Sequence, residues 1–214
     1  MSRSEVLILV LVLLSFGIGV CLYPFMPEKV AVHWNVKGEV DGYLPRFWGL
    51  FLFPLIFAGI VLLFIVIPRI DPLKKNIELF RRYYDGFVLL FSLFFLLVYV
   101  QVILWNIGVK VNLTVTLPIG IGLLFLYIGF LCDNCRRNWF IGIRTPWTLS
   151  SDRVWEKTHR LGGKLFKASG IIAMLGALIQ EYALILILAP VIFTAIYTII
   201  YSYFEYQREV KGGN

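Results

Sequence analysis

The sequence predicts an all-α integral membrane protein, a bundle of about six transmembrane helices. Hydrophobic residues make up 59% of its 214 residues and charged residues only 15%, whereas a soluble domain has a smaller apolar share and about 25% charged residues. Several near-continuous apolar runs hold about 20 residues each, enough for a helix to cross a hydrocarbon layer of ~30 Å. A soluble protein of this size could not hide so much apolar surface, so we expect lipid to cover it.

Five apolar segments are long enough to cross the membrane unaided. Polar or proline-containing stretches separate most of them, and a short turn separates the third from the fourth. The five predicted spans are residues 6–23, 48–67, 85–107, 113–132 and 182–204.

A further apolar segment, residues 168–180, is shorter. About 13 residues of helix rise only about 20 Å, which is too little to cross alone, although snorkelling lysines at its start would lengthen it. Ser169, Ala173 and Ala177 give it a face of small residues, which suits packing against another helix. We favour a sixth crossing, with a re-entrant hairpin as the alternative.

The distribution of Lys and Arg predicts the orientation. With six crossings, 16 of the 20 Lys and Arg residues lie on one side. Because these residues gather in cytoplasmic loops, we expect both termini and the large loop 133–167, between helices 4 and 5, in the cytoplasm of a cell-membrane protein. A re-entrant segment would move only the C-terminal tail. The same rule accounts for the formal charge of +7, so we expect no direct contact with nucleic acid.

We divide the chain into an N-terminal two-helix unit, residues 1–67, and a four-helix unit, residues 68–214. The first unit contains an extracellular loop, residues 28–47, in which His33, Asn35 and Asp41 lie close together in the sequence. One interpretation is a compact loop whose polar side chains bond its own backbone. The other is a site for an extracellular peptide; because the net charge of the loop is near zero, simple electrostatic capture is disfavoured.

Residues 133–167, which we call the polar segment, interrupt the apolar pattern. They hold eight of the 20 Lys and Arg residues, three of the six Trp and one of the two His. No other stretch offers so many side chains for a specific polar contact. We therefore interpret the polar segment as the functional surface and the apolar remainder as the membrane-embedded scaffold that supports it.

The first half of the polar segment mixes Trp and Arg residues. Trp favours the headgroup zone and Arg attracts anionic lipid, so one interpretation is a segment that lies on the inner leaflet and contacts membrane lipid. Pro146 restricts Thr145 to extended geometry, which indicates instead a defined turn presenting Arg144 and Trp147. Arg144 could hold a carboxylate or phosphate by two parallel bonds.

The second half of the polar segment predicts a helix. Ser150 or Ser151 is suited to cap it, and Trp155, His159 and Gly162 then share one face. The pair Gly162-Gly163 permits close approach of another helix or a ligand. His159 is either satisfied within a packing face or a switch and contact point at the membrane surface.

Eleven residues of the polar segment stand in a fixed order: Asn138, Trp139, Gly142, Arg144, Thr145, Pro146, Trp147, Trp155, His159, Gly162 and Gly163. This order resembles the conserved block of the SdpI-type bacterial immunity and signalling membrane proteins. A second stretch resembles the N-terminal domain of unknown function that is often found ahead of that block; it reads Pro27-x-x-Val30-x-x-His33-Trp34-Asn35-x-x-Gly38-x-x-Asp41-Gly42-Tyr43. Together with the hydrophobic pattern, the resemblance covers most of the chain.

The resemblance implies a non-enzymatic membrane protein that protects the cell against a secreted peptide toxin. In the best-known arrangement, such proteins also hold a soluble transcriptional repressor at the membrane once toxin is bound. From the predicted topology, we expect His33, Asn35 and Asp41 to meet the peptide. We expect the eleven residues of the polar segment to meet the cytoplasmic partner.

Other classes of function are less well supported by the sequence. Cys132 and Cys135 with His159 could suggest zinc, but a single Cys pair is weak support, so we expect no metal and no cofactor. The middles of the spans lack the ionisable residues that transporters usually place there. The sequence contains no nucleophile elbow, no phosphate-binding glycine loop and no HExxH motif, which are the patterns typical of several enzyme classes. The alternative from another class is a membrane enzyme or lipid-handling protein that uses the Trp-, Arg- and His-rich polar segment.

Overall fold

Residues 3–212 are described by the structure, a computed structural model, and they form eight α-helices and one two-stranded sheet. The strands are β1 (Lys29–Trp34) and β2 (Val40–Pro45). The helices are α1 (Arg3–Leu22), α2 (Arg46–Ile70), α3 (Lys74–Leu79), α4 (Arg81–Asn106), α5 (Leu113–Asn134), α6 (Pro146–Ser150), α7 (Asp152–Leu175) and α8 (Ala183–Gly212).

Five helices are long and apolar enough to cross a membrane: α1, α2, α4, α5 and α8. They coincide with the five spans predicted from hydropathy, and each extends beyond the predicted limit at one end or both, by two to eight residues. The chain is therefore a mostly helical membrane protein, as predicted. A bundle of six crossings stays a prediction.

The short apolar segment 168–180 is not a separate helix, contrary to the predicted element boundaries. Helix α7 begins at Asp152 and continues to Leu175, so it joins the polar segment to the apolar segment without a break. Its 24 residues correspond to about 36 Å. Because its first half is charged, α7 is not among the five candidate spans. A sixth crossing, with a re-entrant hairpin as the alternative, stays a prediction.

The loop predicted at residues 28–47 is a β-hairpin, which corrects the all-α assignment for this short region. Strands β1 and β2 pair antiparallel, with Val30 opposite Leu44 and Ala31 opposite Tyr43. The amide side chain of Asn106 holds the hairpin: its Oδ1 accepts from Ala31 N at 2.8 Å, and its Nδ2 donates to Ala31 O at 3.0 Å. Backbone pairing thus satisfies polar groups that a loop would leave to water.

The chain forms two compact units. The first holds the described residues up to Ile65 together with Val88–Leu117. Its core consists of Met26, Val30, Leu50, Tyr99 and Ile103. The Tyr99 hydroxyl donates to Leu50 O at 3.0 Å, so the one polar atom of this buried ring is satisfied.

The second compact unit holds Val66–Phe87 and the described residues from Pro118 onwards. Helices α5 and α7 approach each other through glycines. A Cβ built on Gly170 would lie 2.5 Å from the Gly122 backbone oxygen, and one built on Gly129 would lie 2.6 Å from the Gly163 oxygen. Any larger side chain at these four positions would force the helices apart, as expected for membrane helices that pack through small residues.

Helix α8 presents a polar face within the second unit. Thr194, Thr198, Ser202 and Glu205 are buried along it. Thr194 Oγ1 lies 3.1 Å from Ser169 Oγ of α7, so the face of small residues predicted from the sequence does contact another helix. The Glu205 carboxylate pairs with the Lys157 ammonium. This polar face fixes α7 and the polar segment on α8.

Candidate functional site

Asn138 organises the loop between α5 and α6. Its side chain is fully buried. Its Nδ2 donates to Arg136 O at 2.8 Å and to Ile141 O at 2.9 Å, while its Oδ1 accepts from Phe140 N at 3.0 Å and Ile141 N at 2.6 Å. Both hydrogens of the amide and its oxygen are therefore used inside the loop. Asn138 holds the turn in one conformation, and it offers nothing to a partner directly.

His159 ties that loop to α7. The residue is 2% exposed. Its Nδ1–H donates to Trp155 O at 2.8 Å, and its Nε2 accepts from Ile143 N at 2.8 Å, which requires the neutral ring. Burial lowers the pKa of His159 to about 4, against a weaker opposing effect of the Trp155 carbonyl. The geometry supports the packing interpretation of His159, because both ring nitrogens are occupied.

Gly142 and Trp155 pack against the imidazole ring of His159. The Trp155 ring stacks on the imidazole at 4.0 Å between centroids, and its Nε1–H donates to Cys135 O at 3.1 Å. Gly142 has φ 106°, and a Cβ there would lie 2.5 Å from His159 Nε2. Only glycine combines this backbone conformation with that approach.

Thr145 starts the short helix α6 and fastens it to α8. Its backbone is extended (φ −118°, ψ 162°), which confirms the geometry predicted from Pro146. Thr148 N donates to Thr145 Oγ1 at 3.1 Å, and Thr145 N donates to Thr148 Oγ1 at 2.9 Å, forming a capping box. Thr145 Oγ1 also lies 3.0 Å from Ser202 Oγ of α8.

The exposed part of the site is Arg144 with Trp139. Arg144 is exposed, and its Nη1 donates to Trp139 O at 2.8 Å. Trp139 is 51% exposed, whereas Trp147 is half-buried with its ring edge-on to Tyr203 at 5.1 Å. The turn therefore presents Arg144 beside Trp139, and Trp147, which the sequence suggested as the presented ring, packs on α8.

Two sequence predictions about α7 are confirmed. Ser151 caps the helix: its Oγ accepts from Val154 N at 3.2 Å and donates to Glu209 Oε2 at 2.6 Å. The glycine pair serves close approach, because Gly162 faces Ile143 and Gly163 faces the end of α5.

Cys132 and Cys135, the two cysteines near this site, are buried. The Cys135 thiol is protonated at neutral pH. Burial raises the pKa of the Cys135 thiol well above its usual value, and its Sγ–H points to Cys132 O at 3.5 Å. Across residues 3–212 there is no group of three or more His, Cys, Asp or Glu side chains placed to hold a metal ion.

The three residues predicted to bind a peptide, His33, Asn35 and Asp41, lie at the turn end of the hairpin. His33 Nδ1 lies 2.5 Å from Asp41 Oδ1, and both side chains are largely exposed. Asn35 Oδ1 accepts from Lys37 N at 2.9 Å and Glu39 N at 3.1 Å. These side chains bond within the turn, in line with the interpretation of a self-bonded loop, and leave His33 and Asp41 accessible.

Residues that the sequence did not indicate, outside the eleven-residue motif, support the backbone of the polar segment. Asp71 is 2% exposed, and its Oδ2 accepts from Trp139 N at 2.8 Å. Asn76 Nδ2 donates to Arg137 O at 2.7 Å. Neither position carries a local sequence signal of this role. The polar face of α8 does carry one, since Thr194, Thr198 and Ser202 recur at four-residue spacing.

Taken together, these features define a helical membrane protein in which a buried hydrogen-bonded framework presents a small Arg–Trp surface. Residues 134–202 match the family model of the SdpI/YfhL protein family, and residues 10–58 match that of a domain of unknown function, DUF1648. The Immunity protein SdpI of Bacillus subtilis (strain 168) is 24% identical over 207 residues, covering 96% of this chain and 97% of the relative. No solved structure matches the chain. The SdpI-type resemblance is therefore confirmed, and the chain carries an SdpI-family region behind a DUF1648 region.

Proposed function

We propose that this chain is a non-enzymatic, multi-pass immunity and signalling protein of the cell membrane that gives resistance to a secreted peptide toxin. The observation that carries the proposal is the near full-length similarity to an immunity protein, at 24% identity over 96% of the chain. Because the similarity spans both family regions, it includes the outer hairpin as well as the polar segment.

In this proposal the outer hairpin is where the peptide toxin binds. His33 and Asp41 are exposed at its turn, and the aromatic ring of Tyr43, two positions after Asp41 in the same strand, is exposed as well. An accessible apolar ring next to polar groups suits the binding of an amphipathic peptide. The orientation with the hairpin outside follows from the charge distribution of the sequence.

The Arg144–Trp139 surface is the proposed contact for a cytoplasmic repressor. Arg and Trp are common at the centres of protein interfaces. The two are held by a buried framework, so little conformational entropy would be lost on binding. Signalling further requires that toxin bind two states of the protein with different affinity.

The test is the survival of a sensitive host challenged with the family's peptide toxin, with and without the full chain at a verified membrane level. The proposal expects survival at toxin doses that kill the empty-vector control. It also expects the double variant His33→Ala/Asp41→Ala to protect less than the matched variant Lys75→Ala, which lies in the second compact unit. Killing at the control dose, with wild-type chain inserted at its normal level, would refute immunity against this toxin.

A further inference from the structure

A basic cavity of about 850 Å³ lies within the second compact unit, apart from the Arg144–Trp139 surface. Residues from α3, the end of α5, the loop that follows and α7 line it. Three of the lining side chains are acidic and six are cationic. The cationic residues are Arg136, Arg137, Arg153, Arg160, Lys164 and Lys167.

Two of the acidic side chains are already neutralised. Asp133 pairs with Lys167. Asp152 Oδ1 lies 2.7 Å from Arg137 Nε, and Arg137 Nη1 donates to Leu149 O at 2.8 Å. These pairs fix the rim of the cavity and leave one lining carboxylate, Glu156, against the remaining cations.

The other four cations have no carboxylate partner within residues 3–212: Arg136, Arg153, Arg160 and Lys164. Arg153, Arg160 and Lys164 lie on α7 at separations of four, seven and eleven positions, so they form one stripe along the helix. Like charges held on one concave wall repel each other, and a bound anion relieves that repulsion.

The floor of the cavity adds no charge. It includes Trp155, His159 and Cys135. Because burial lowers the pKa of His159 to about 4 and raises that of the Cys135 thiol well above its usual value, both groups are neutral at pH 7. The excess of positive charge therefore comes from the Lys and Arg side chains and persists across the physiological pH range.

We propose that this cavity binds a phosphate group, either that of an anionic phospholipid headgroup or that of a free phosphate compound. Guanidinium groups hold phosphate oxygens by parallel hydrogen bonds, and Lys adds a point charge. Cys132 and Asp133 line the cavity from the last turn of α5, a candidate membrane span. A headgroup at the surface that the charge distribution assigns to the cytoplasm is therefore within reach. This site does not depend on the proposed function.

The test uses the purified full chain in phosphatidylcholine nanodiscs. One arm adds phosphatidylglycerol and counts retained lipid by native mass spectrometry; the other adds inorganic phosphate at constant ionic strength and follows the thermal unfolding temperature. The site variant is Arg153→Gln/Arg160→Gln/Lys164→Gln. The matched control removes three exposed cations outside the cavity: Lys75→Gln/Arg82→Gln/Lys211→Gln.

The proposal expects the site variant to bind about 10- to 100-fold more weakly than wild type, with the control unchanged. Binding in the lipid arm alone identifies a headgroup, and binding in the phosphate arm alone identifies a free phosphate compound. Equal losses in the site and control variants would show unspecific attraction and overturn the site, as would binding of neither probe or of an acidic peptide only. If the triple variant fails to insert, Arg160→Gln is compared with Arg82→Gln under the same criteria.

Discussion

Substituting His159 tests whether the SdpI-type motif is a buried framework. In the folded chain its Nε2 accepts from Ile143 N and its Nδ1–H donates to Trp155 O. A Gln at this position retains a donor and an acceptor on a side chain of different shape. We expect His159→Gln to lower the unfolding free energy by about 1–3 kcal/mol at neutral pH, since at least one buried backbone group loses its partner.

The same residue makes stability depend on pH in a defined direction. Burial lowers the pKa of His159 from 6.5 to about 4, so on acidification the unfolded chain takes up this proton before the folded chain does. The stability that the neutral, buried His159 gives to the folded chain is fully present above pH 6.5 and is lost as the pH falls from 6.5 towards 4. Between about pH 7 and about pH 5 this loss is about 2 kcal/mol, before most carboxylates titrate.

The assay is urea unfolding in a neutral detergent, followed by tryptophan fluorescence at both pH values. The chain has two His residues, so His33→Gln is the matched control and should keep the wild-type pH dependence. His159→Gln should lose about 2 kcal/mol of it. If the wild type and His159→Gln respond equally to pH, the account of a buried neutral imidazole is wrong.

Three further substitutions probe the packing around the site. Gly170→Ala should lower the unfolding free energy by about 1–3 kcal/mol, because its Cβ would lie 2.5 Å from a backbone oxygen of α5; Gly59→Ala, with nothing within 4 Å of its Cβ, should be neutral or stabilising. Asn138→Ala should cost at least about 2 kcal/mol, because a fully buried side chain loses four hydrogen bonds, whereas Asn134→Ala removes one exposed bond and should cost less than about 1 kcal/mol. Gly142→Ala should shift the fluorescence of the tryptophan stacked on His159, because the added methyl group displaces the imidazole. Thermal unfolding checks the first two and emission spectra the third; losses equal to those of the Gly59→Ala and Asn134→Ala controls, or an unchanged emission spectrum for Gly142→Ala, would contradict these contacts.

The helical spans could be predicted because hydropathy alone determines them. A helix in lipid needs an apolar surface along its whole length, and that requirement is local in sequence. The extended Thr145 and the Ser151 cap were predictable for the same reason, since Pro146 and a serine before a helix act on their immediate neighbours.

The hairpin and the length of α7 could not be predicted as readily. Pairing of β1 with β2 is short and irregular, with register shifts on either side of His33, and its anchor Asn106 is distant in sequence. Helix α7 changes from polar to apolar along its length, so a hydropathy criterion divides one continuous helix into two segments.

The roles of the site residues depend on long-range contacts. Asp71 reaches the backbone of Trp139 across 68 positions, and no local pattern marks such a contact. His159 and Asn138 are polar residues within a motif, which suggested a contact surface. Their burial instead makes them the framework, and the exposed Arg144 with Trp139 remains as the surface.

The central proposal is that the polar segment presents Arg144 and Trp139 as the surface through which an immunity protein acts, so that protection from the toxin depends on this surface as well as on the hairpin. The most direct measurement is the toxin dose that kills half of a sensitive host expressing wild type, Trp139→Ala/Arg144→Ala, or the control Lys75→Ala/Arg82→Ala, each at equal membrane level. The account predicts that the first double variant loses most of the protection while its unfolding temperature is retained, and that the control protects like wild type. Full protection by a well-inserted Trp139→Ala/Arg144→Ala variant would contradict it.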